Sequence, residues 1–172
     1  MIGFEEATPE TAQGRAIFEE LLWVHSAIRR DLATVAGLAE AVGDGMKAGE
    51  VRDRIEGLRT NGPLWQLKIN CLQYCRFVHA HHNHEDALFF PRLRAANPEL
   101  DPVVDRLEAD HRRVSDLLDE TEAAAAALED EDCAESRDRL VAALGELGEQ
   151  LLAHLDYEEE RAGPTIRRLA SW

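Results

Sequence analysis

Apolar residues recur at intervals of three and four over most of this 172-residue chain, and this spacing restricts its fold more than any other feature. Residues spaced in this way share one face of an α-helix, whereas a half-buried strand alternates at every second residue. No segment of the sequence alternates well enough to predict a strand. The clearest stripe lies near the N-terminus and consists of Phe18, Leu21, Leu22, His25, Ile28, Leu32 and Ala36. The sequence therefore predicts an all-α fold.

Turn and capping residues divide the pattern into four long helices. The first is predicted to start at Thr8-Pro9, with proline at the first helical position, and to end near Gly43. A weaker helical segment, 48–58, precedes a breaker at 61–63. The other three helices are predicted over 63–91, 101–128 and 134–162, the last of them stopped by Gly163-Pro164. Because short connections favour antiparallel neighbours, we expect an up-down-up-down four-helix bundle that forms a single domain over residues 1–172.

Charge and composition argue against several classes of partner. Nineteen Lys and Arg against 34 Asp and Glu give a net charge of −15, which repels nucleic acid and anionic membranes. No apolar run approaches the roughly 18 residues of a membrane span, and segment 1–10 lacks the features of a signal peptide. The three cysteines, Cys71, Cys75 and Cys133, contain no CxxC pair and indicate reduced thiols. We therefore expect a cytoplasmic protein, whose oligomeric state stays open.

Histidines and acids are concentrated on two of the predicted helices. Four of the seven histidines lie within 79–84. His81 and Glu85 are four residues apart, as are His154 and Glu158, so each pair shares one helix face. A second acid follows each pair directly, and a proline follows a few residues later. The segments HHNHEDALFFP (81–91) and HLDYEEERAGP (154–164) therefore look like two copies of one ligand-bearing motif.

Two single histidines, His25 and His111, lie within the apolar stripes of the first and third helices. In an antiparallel hairpin His111 meets His81, because they lie nine residues after Pro102 and ten before Pro91. Distances from the other helix ends place His25 and His154 within about one turn of the same level, at roughly 1.5 Å per residue.

A single histidine on an apolar stripe is most often a satisfied core residue. However, a whole set of imidazoles and carboxylates buried at one level costs roughly several kcal/mol unless something pairs them. A metal site explains the set, and its predicted ligands are His25, His81, Glu85, His111, His154 and Glu158.

The ligand types restrict the metal, and the motifs resemble a known family. Zinc prefers a closed site of four Cys or His ligands, whereas six N and O ligands with two bridging carboxylates suit a pair of iron or manganese ions. The two His-x-x-x-Glu motifs, the single His25 and His111, and the LFFP sequence after the first motif resemble the hemerythrin-like (HHE cation-binding) family over nearly the whole chain. This resemblance implies a four-helix bundle with a non-haem di-iron centre, bridged by carboxylates, that meets O2, peroxide or NO.

The third helix departs from the hemerythrin pattern. The resemblance implies a second histidine four residues from His111, but Leu107 and Ser115 occupy those positions. One metal then lacks a ligand unless another group completes it. The substitutes that we consider, as metal ligands or as groups beside them, are His82, His84, Glu108 and Tyr74. A ferritin-like di-iron site fits less well, because it needs two Glu-x-x-His motifs and the chain has one, Glu108 to His111.

Two further residues are candidates for a catalytic role. Tyr74 lies seven residues before His81, on the same face. Arg29, one turn beyond His25, is expected to face the metals and to pair with Glu85 or Glu158 or meet an anionic substrate; a surface position is the alternative. An open coordination position beside proton donors favours turnover. We therefore predict an oxidoreductase, an oxidase or peroxidase/catalase-like enzyme, that uses O2 or peroxide. The alternatives are a carrier or sensor of O2, NO or iron, and a structural bundle with incidental metal.

Overall fold

The computed structural model describes residues 8–45, 47, 50, 78 and 80–170. We label its long helices α1 (Ala12–Gly43), α2 (80–96), α3 (Asp101–Asp130) and α4 (Ala134–Ile166). A 3-10 turn, Pro98–Leu100, joins α2 to α3. No strand occurs in these described ranges, so the predicted all-α class is confirmed. The predicted segment 48–58 and the predicted start of the second helix lie outside them. No helix within the described ranges is both long and apolar enough to span a membrane.

Neighbouring helices run antiparallel, as the contacts at their ends show. At one end of the bundle the Thr11 N–H, just before α1, donates to the Arg167 carbonyl just after α4, at 2.9 Å. At the other end Arg137, near the start of α4, donates to the carbonyl of Val42 at 3.2 Å. The end of α2 meets the start of α3 through Arg94, which donates to the Asp101 carbonyl at 3.2 Å. The described segments therefore form the predicted up-down-up-down bundle.

Two helix ends differ from the sequence prediction. The first helix is capped by Thr11 and not by Thr8: its hydroxyl accepts a hydrogen bond from the Gly14 N–H at 2.8 Å. The same residue bonds to the chain after α4, so tertiary contact selects this cap. The fourth helix continues through Pro164 to Ile166. The predicted stop at Gly163 was therefore wrong. Pro164 is tolerated because a proline this close to the helix end removes only one backbone hydrogen bond.

The second helix also continues beyond Pro91, the last residue of its predicted range. It contains a π-helical turn, Glu85–Phe89, followed by the α-helix Phe90–Ala96. The Phe90 N–H bonds to the carbonyl of Glu85, five residues back. This longer turn leaves Pro91 within the first turn of a new helical segment, where its missing N–H does no harm.

Three apolar layers follow one another along the bundle. The layer nearest the ends of the described chain includes Leu107 and Phe90, and the middle layer includes Ile28 and Val114. The third lies at the opposite end and includes Val42, Leu128 and Leu140. His111 lies between Leu107 and Val114 on α3, so the level that carries the histidines separates the first two layers. The polar side chains at this level are thus enclosed between two apolar layers.

Candidate metal centre

The six predicted ligands converge on one buried level. Five of them are at most 3% exposed, and the side chain of His81 is 11% exposed. All of them except Glu158, together with His82, form two groups within which the ligand atoms all lie within 4.8 Å of one another. One group consists of His25, His81 and Glu85; the other consists of His82, Glu85, His111 and His154. Glu85 belongs to both groups.

The two buried glutamates each lie between histidines of the two groups. Glu85 places Oε1 3.2 Å from Nε2 of His81, and Oε2 3.3 Å from Nε2 of His111. Glu158 places Oε2 3.4 Å from Nε2 of His25 and 3.8 Å from Nε2 of His154. Both carboxylates are therefore placed to bind metal together with histidines of either group.

Buried polar atoms without a hydrogen-bond partner test whether metal ions fit here. They include both carboxylate oxygens of Glu85 and of Glu158, and Nε2 of His25, His81 and His82. An unsatisfied buried polar group costs about 1–3 kcal/mol, so a cluster of this size requires compensation. Imidazole nitrogens and carboxylate oxygens are suitable donors for first-row ions. The residues present therefore fit a metal centre.

Burial and neighbouring charges together determine the protonation of these side chains in the metal-free protein. It lowers the pKa of His81 to about 4, and that of His111 to about 2 with the help of repulsion from neighbouring imidazoles. Burial also raises the pKa of Glu85 well above its ordinary range, and the nearby Glu158 adds to this. For Glu158 itself burial opposes ionisation, but the neighbouring imidazoles of His25, His154 and His81 together outweigh it and lower the pKa. His81 and His111 are therefore neutral and keep the lone pairs that metal ligands need, whereas for His25 burial is outweighed by Glu158 and Glu159, which raise its pKa.

Three further carboxylates lie behind the histidines. The Nδ1 atoms of His25 and His111 lie 2.8 Å from oxygens of Glu159 and Asp86, respectively, and Nδ1 of His154 lies 3.8 Å from Asp110. Sequence reasoning recorded the second acid after each motif without assigning it a role. The presence of a second acid in both motifs was the sequence signal that could have indicated a role beside the histidines.

The predicted position of Arg29 needs correction. Its guanidinium does not pair with Glu85 or Glu158 but donates to Glu159 at 2.7 Å and to Asp156 at 2.8 Å. It is therefore separated from the ligand cluster by Glu159. The i+4 spacing from His25 gave the correct side of α1, but Glu159 comes between the arginine and the site.

Among the suggested substitutes for the missing histidine, the structure brings His82 into the cluster. Its ring is 4% exposed and stacks on the ring of His111, with centroids 3.9 Å apart. His84 is exposed at the edge of the site, and Glu108 bonds to Arg94 at 3.2 Å. Neither belongs to the metal-capable groups found among the described residues. Tyr74 lies outside those residues.

A cavity of about 170 Å³ reaches the site between α1 and α2. His81 and Glu85 lie at its inner end, and Glu20 and His84, which are exposed, also line it. The remaining lining residues are apolar: Ile17, Leu21, Val24 and Phe89. The group that contains His25 and His81 therefore adjoins open space. On the other side of the site, Phe90 stacks against His111 with centroids 5.2 Å apart.

An antiparallel helical bundle that buries a cluster of histidines and glutamates between apolar layers defines a metal-binding bundle protein. The family model of the hemerythrin HHE cation-binding domain matches residues 16–166. The chain therefore belongs to the hemerythrin HHE cation-binding family. No curated protein and no solved structure matches it.

Proposed function

We propose that this chain is a non-haem di-iron protein that reacts with O2, peroxide or NO. The observation that carries the proposal is the pair of ligand groups that share Glu85, since one shared carboxylate between two donor sets suits two adjacent metal ions. The proposed ligands are the six predicted from the sequence together with His82. Glu85 and Glu158 would bridge the two ions.

The bound iron would supply a change of oxidation state and an exchangeable position for a small ligand. The protein's own contribution is to hold the donors and exclude water. Leu107 and Ile28, from the apolar layers on either side of the site, are fully buried, which limits the access of water to the centre. The cavity between α1 and α2 provides the way in for a small molecule.

We favour an oxidoreductase that uses O2 or peroxide. The support is the cavity, whose lining includes two exposed titratable side chains, His84 and Glu20, while His81 and Glu85 lie at its inner end. Proton exchange near an open metal position favours turnover. Arg29 and Glu108 do not support this choice. Arg29 bonds to Glu159 and Asp156, and Glu108 bonds to Arg94.

A carrier or sensor of O2, NO or iron is the second candidate, and the position of His82 favours it. With His82 in the cluster, the site has five histidines, as hemerythrin does. The group that contains His82 then has four protein side chains, which protects that metal position and leaves exchange to the other one.

Two measurements test these proposals. We expect anaerobically purified protein to contain close to two iron ions per chain, and a single tightly held zinc would contradict the di-iron centre. The reduced protein is then exposed to O2 and purged with argon. Steady consumption of O2 or peroxide would support the enzyme. A colour that forms with O2, persists for hours and disappears on purging would support the carrier.

A further inference from the structure

We propose that Asp86 and Glu159, the acids that directly follow the two buried glutamates, are positioning residues for histidines on other helices. Asp86 on α2 accepts a hydrogen bond from Nδ1 of His111 on α3, at 2.8 Å. Glu159 on α4 accepts one from Nδ1 of His25 on α1, also at 2.8 Å. The inference rests on the proposed metal centre, because it assigns residues that orient its ligands.

These hydrogen bonds determine which ring nitrogen faces the site. A carboxylate at Nδ1 selects the tautomer with the proton on Nδ1 and leaves the lone pair on Nε2. Nε2 of His25 lies 3.4 Å from Glu158, and Nε2 of His111 lies 3.3 Å from Glu85. In both histidines the nitrogen opposite the second acid of the motif therefore faces the ligand cluster, near one of the two buried glutamates.

The helical geometry of the motif explains why one acid faces inwards and the next faces a neighbouring helix. Successive residues are about 100° apart around a helix axis, so Glu158 and Glu159 point in different directions. Glu158 is fully buried in the cluster, whereas Glu159 is partly exposed. Each motif, a His-x-x-x-Glu pair followed by a second acid, thus supplies two ligands from its own helix and orients a third ligand on a neighbouring helix.

In the α4 copy of the motif, an arginine also holds the second acid, Glu159. Arg29 donates to Glu159 at 2.7 Å and also to Asp156 at 2.8 Å, so the acid behind His25 is held by an arginine that is itself anchored to α4. Arg29 therefore acts on the site through Glu159 and His25, without contact with the ligand cluster.

The test measures Co²⁺ binding to the metal-free protein, by competition with a chelator and by the visible absorption of the bound ion. We expect Asp86→Ala and Glu159→Ala to weaken Co²⁺ binding by about 10- to 100-fold and to shift its absorption band. Asp86→Asn and Glu159→Gln should restore most of the affinity, because an amide oxygen still accepts the Nδ1–H hydrogen bond. Glu160→Ala, at the exposed position next to Glu159, is the matched control and should bind as the wild type does.

The outcomes separate this inference from the proposed function. Alanine variants with wild-type affinity and absorption would overturn the positioning role. Amide variants as weak as the alanine variants would do the same, since the hydrogen bond would then have no effect. A wild-type protein that binds no Co²⁺ would overturn the metal centre itself. A residue with only a structural role would lower the melting temperature and leave the absorption band unchanged.

Discussion

Replacement of His82 by leucine should change stability in opposite directions with and without metal. In the metal-free protein the His82 ring is 4% exposed, its Nε2 has no hydrogen-bond partner, and burial holds its pKa far below the ordinary value. An unsatisfied buried polar atom costs about 1–3 kcal/mol. Leucine removes that cost and fills similar space beside His111, so we expect His82→Leu to stabilise the metal-free protein by about 1–2 kcal/mol.

In the metal-loaded protein the same substitution removes a ligand. If the metal affinity falls a hundredfold, the stabilisation by saturating metal falls by about 2.7 kcal/mol. The net effect is a loss of about 1 kcal/mol or more relative to the loaded wild type. For a chain of this size, 1 kcal/mol corresponds to about 2–4 °C in melting temperature.

The assay is urea denaturation of wild type and variant, once with EDTA and once with Co²⁺ in excess. His84→Leu is the control, because His84 is two residues away but exposed and outside both ligand groups. A change of sign between the two conditions at position 82, but not at 84, supports the ligand role. Equal destabilisation by His82→Leu in both conditions would refute it and make His82 a packing residue.

Three further predictions concern stability. In EDTA, His81, whose pKa falls from 6.5 to about 4, should destabilise the fold by about 3 kcal/mol as pH drops through that range. The raised pKa of Glu85 should cost stability as pH rises above 4.5, so the two effects oppose each other between pH 4.5 and 6.5 and the denaturation midpoint should fall on either side of this range; a midpoint that stays constant both below 4.5 and above 6.5 would contradict both shifts. Gly14→Ala should destabilise by about 1–3 kcal/mol, because its Cβ would lie 2.4 Å from a backbone oxygen after α4, whereas Gly148→Ala meets nothing within 4 Å and thermal melting should show no loss. His154→Ala should lower metal content and melting temperature together, and a variant with full metal content would remove His154 from the ligand set.

The fold was predictable because its signals are local. The three-and-four spacing and the breakers gave the helices, and short connections gave their antiparallel order. The errors came where tertiary contact or backbone adjustment overrode a local rule. Thr11 displaced the expected cap because it bonds to the end of α4, and the π-helical turn that starts at Glu85 carried α2 past Pro91. Neither effect is readable from residue type alone.

The ligand level was predictable from spacing, but the roles of neighbouring side chains were not. The i+4 rule places His81 and Glu85 on one face, but it cannot show that His82, about 100° away around the helix, stacks on His111 of α3. The hydrogen bond between Asp86 and His111 likewise depends on how α2 and α3 pack. A hydrogen bond between helices needs their relative rotation, which the sequence pattern does not contain.

The position of His82 changes how the missing third-helix histidine should be understood. Leu107, at one of the two expected positions, is fully buried in an apolar layer, so a histidine there would interrupt that layer. The proposed replacement comes from α2, where His82 stacks on His111 with the ring planes 8° apart. With His82 as a proposed ligand, the number of histidines would equal that of hemerythrin, and this face of α3 would stay apolar. The choice between enzyme and carrier then depends on the cavity beside His81, because that is where a small ligand and protons would enter the site.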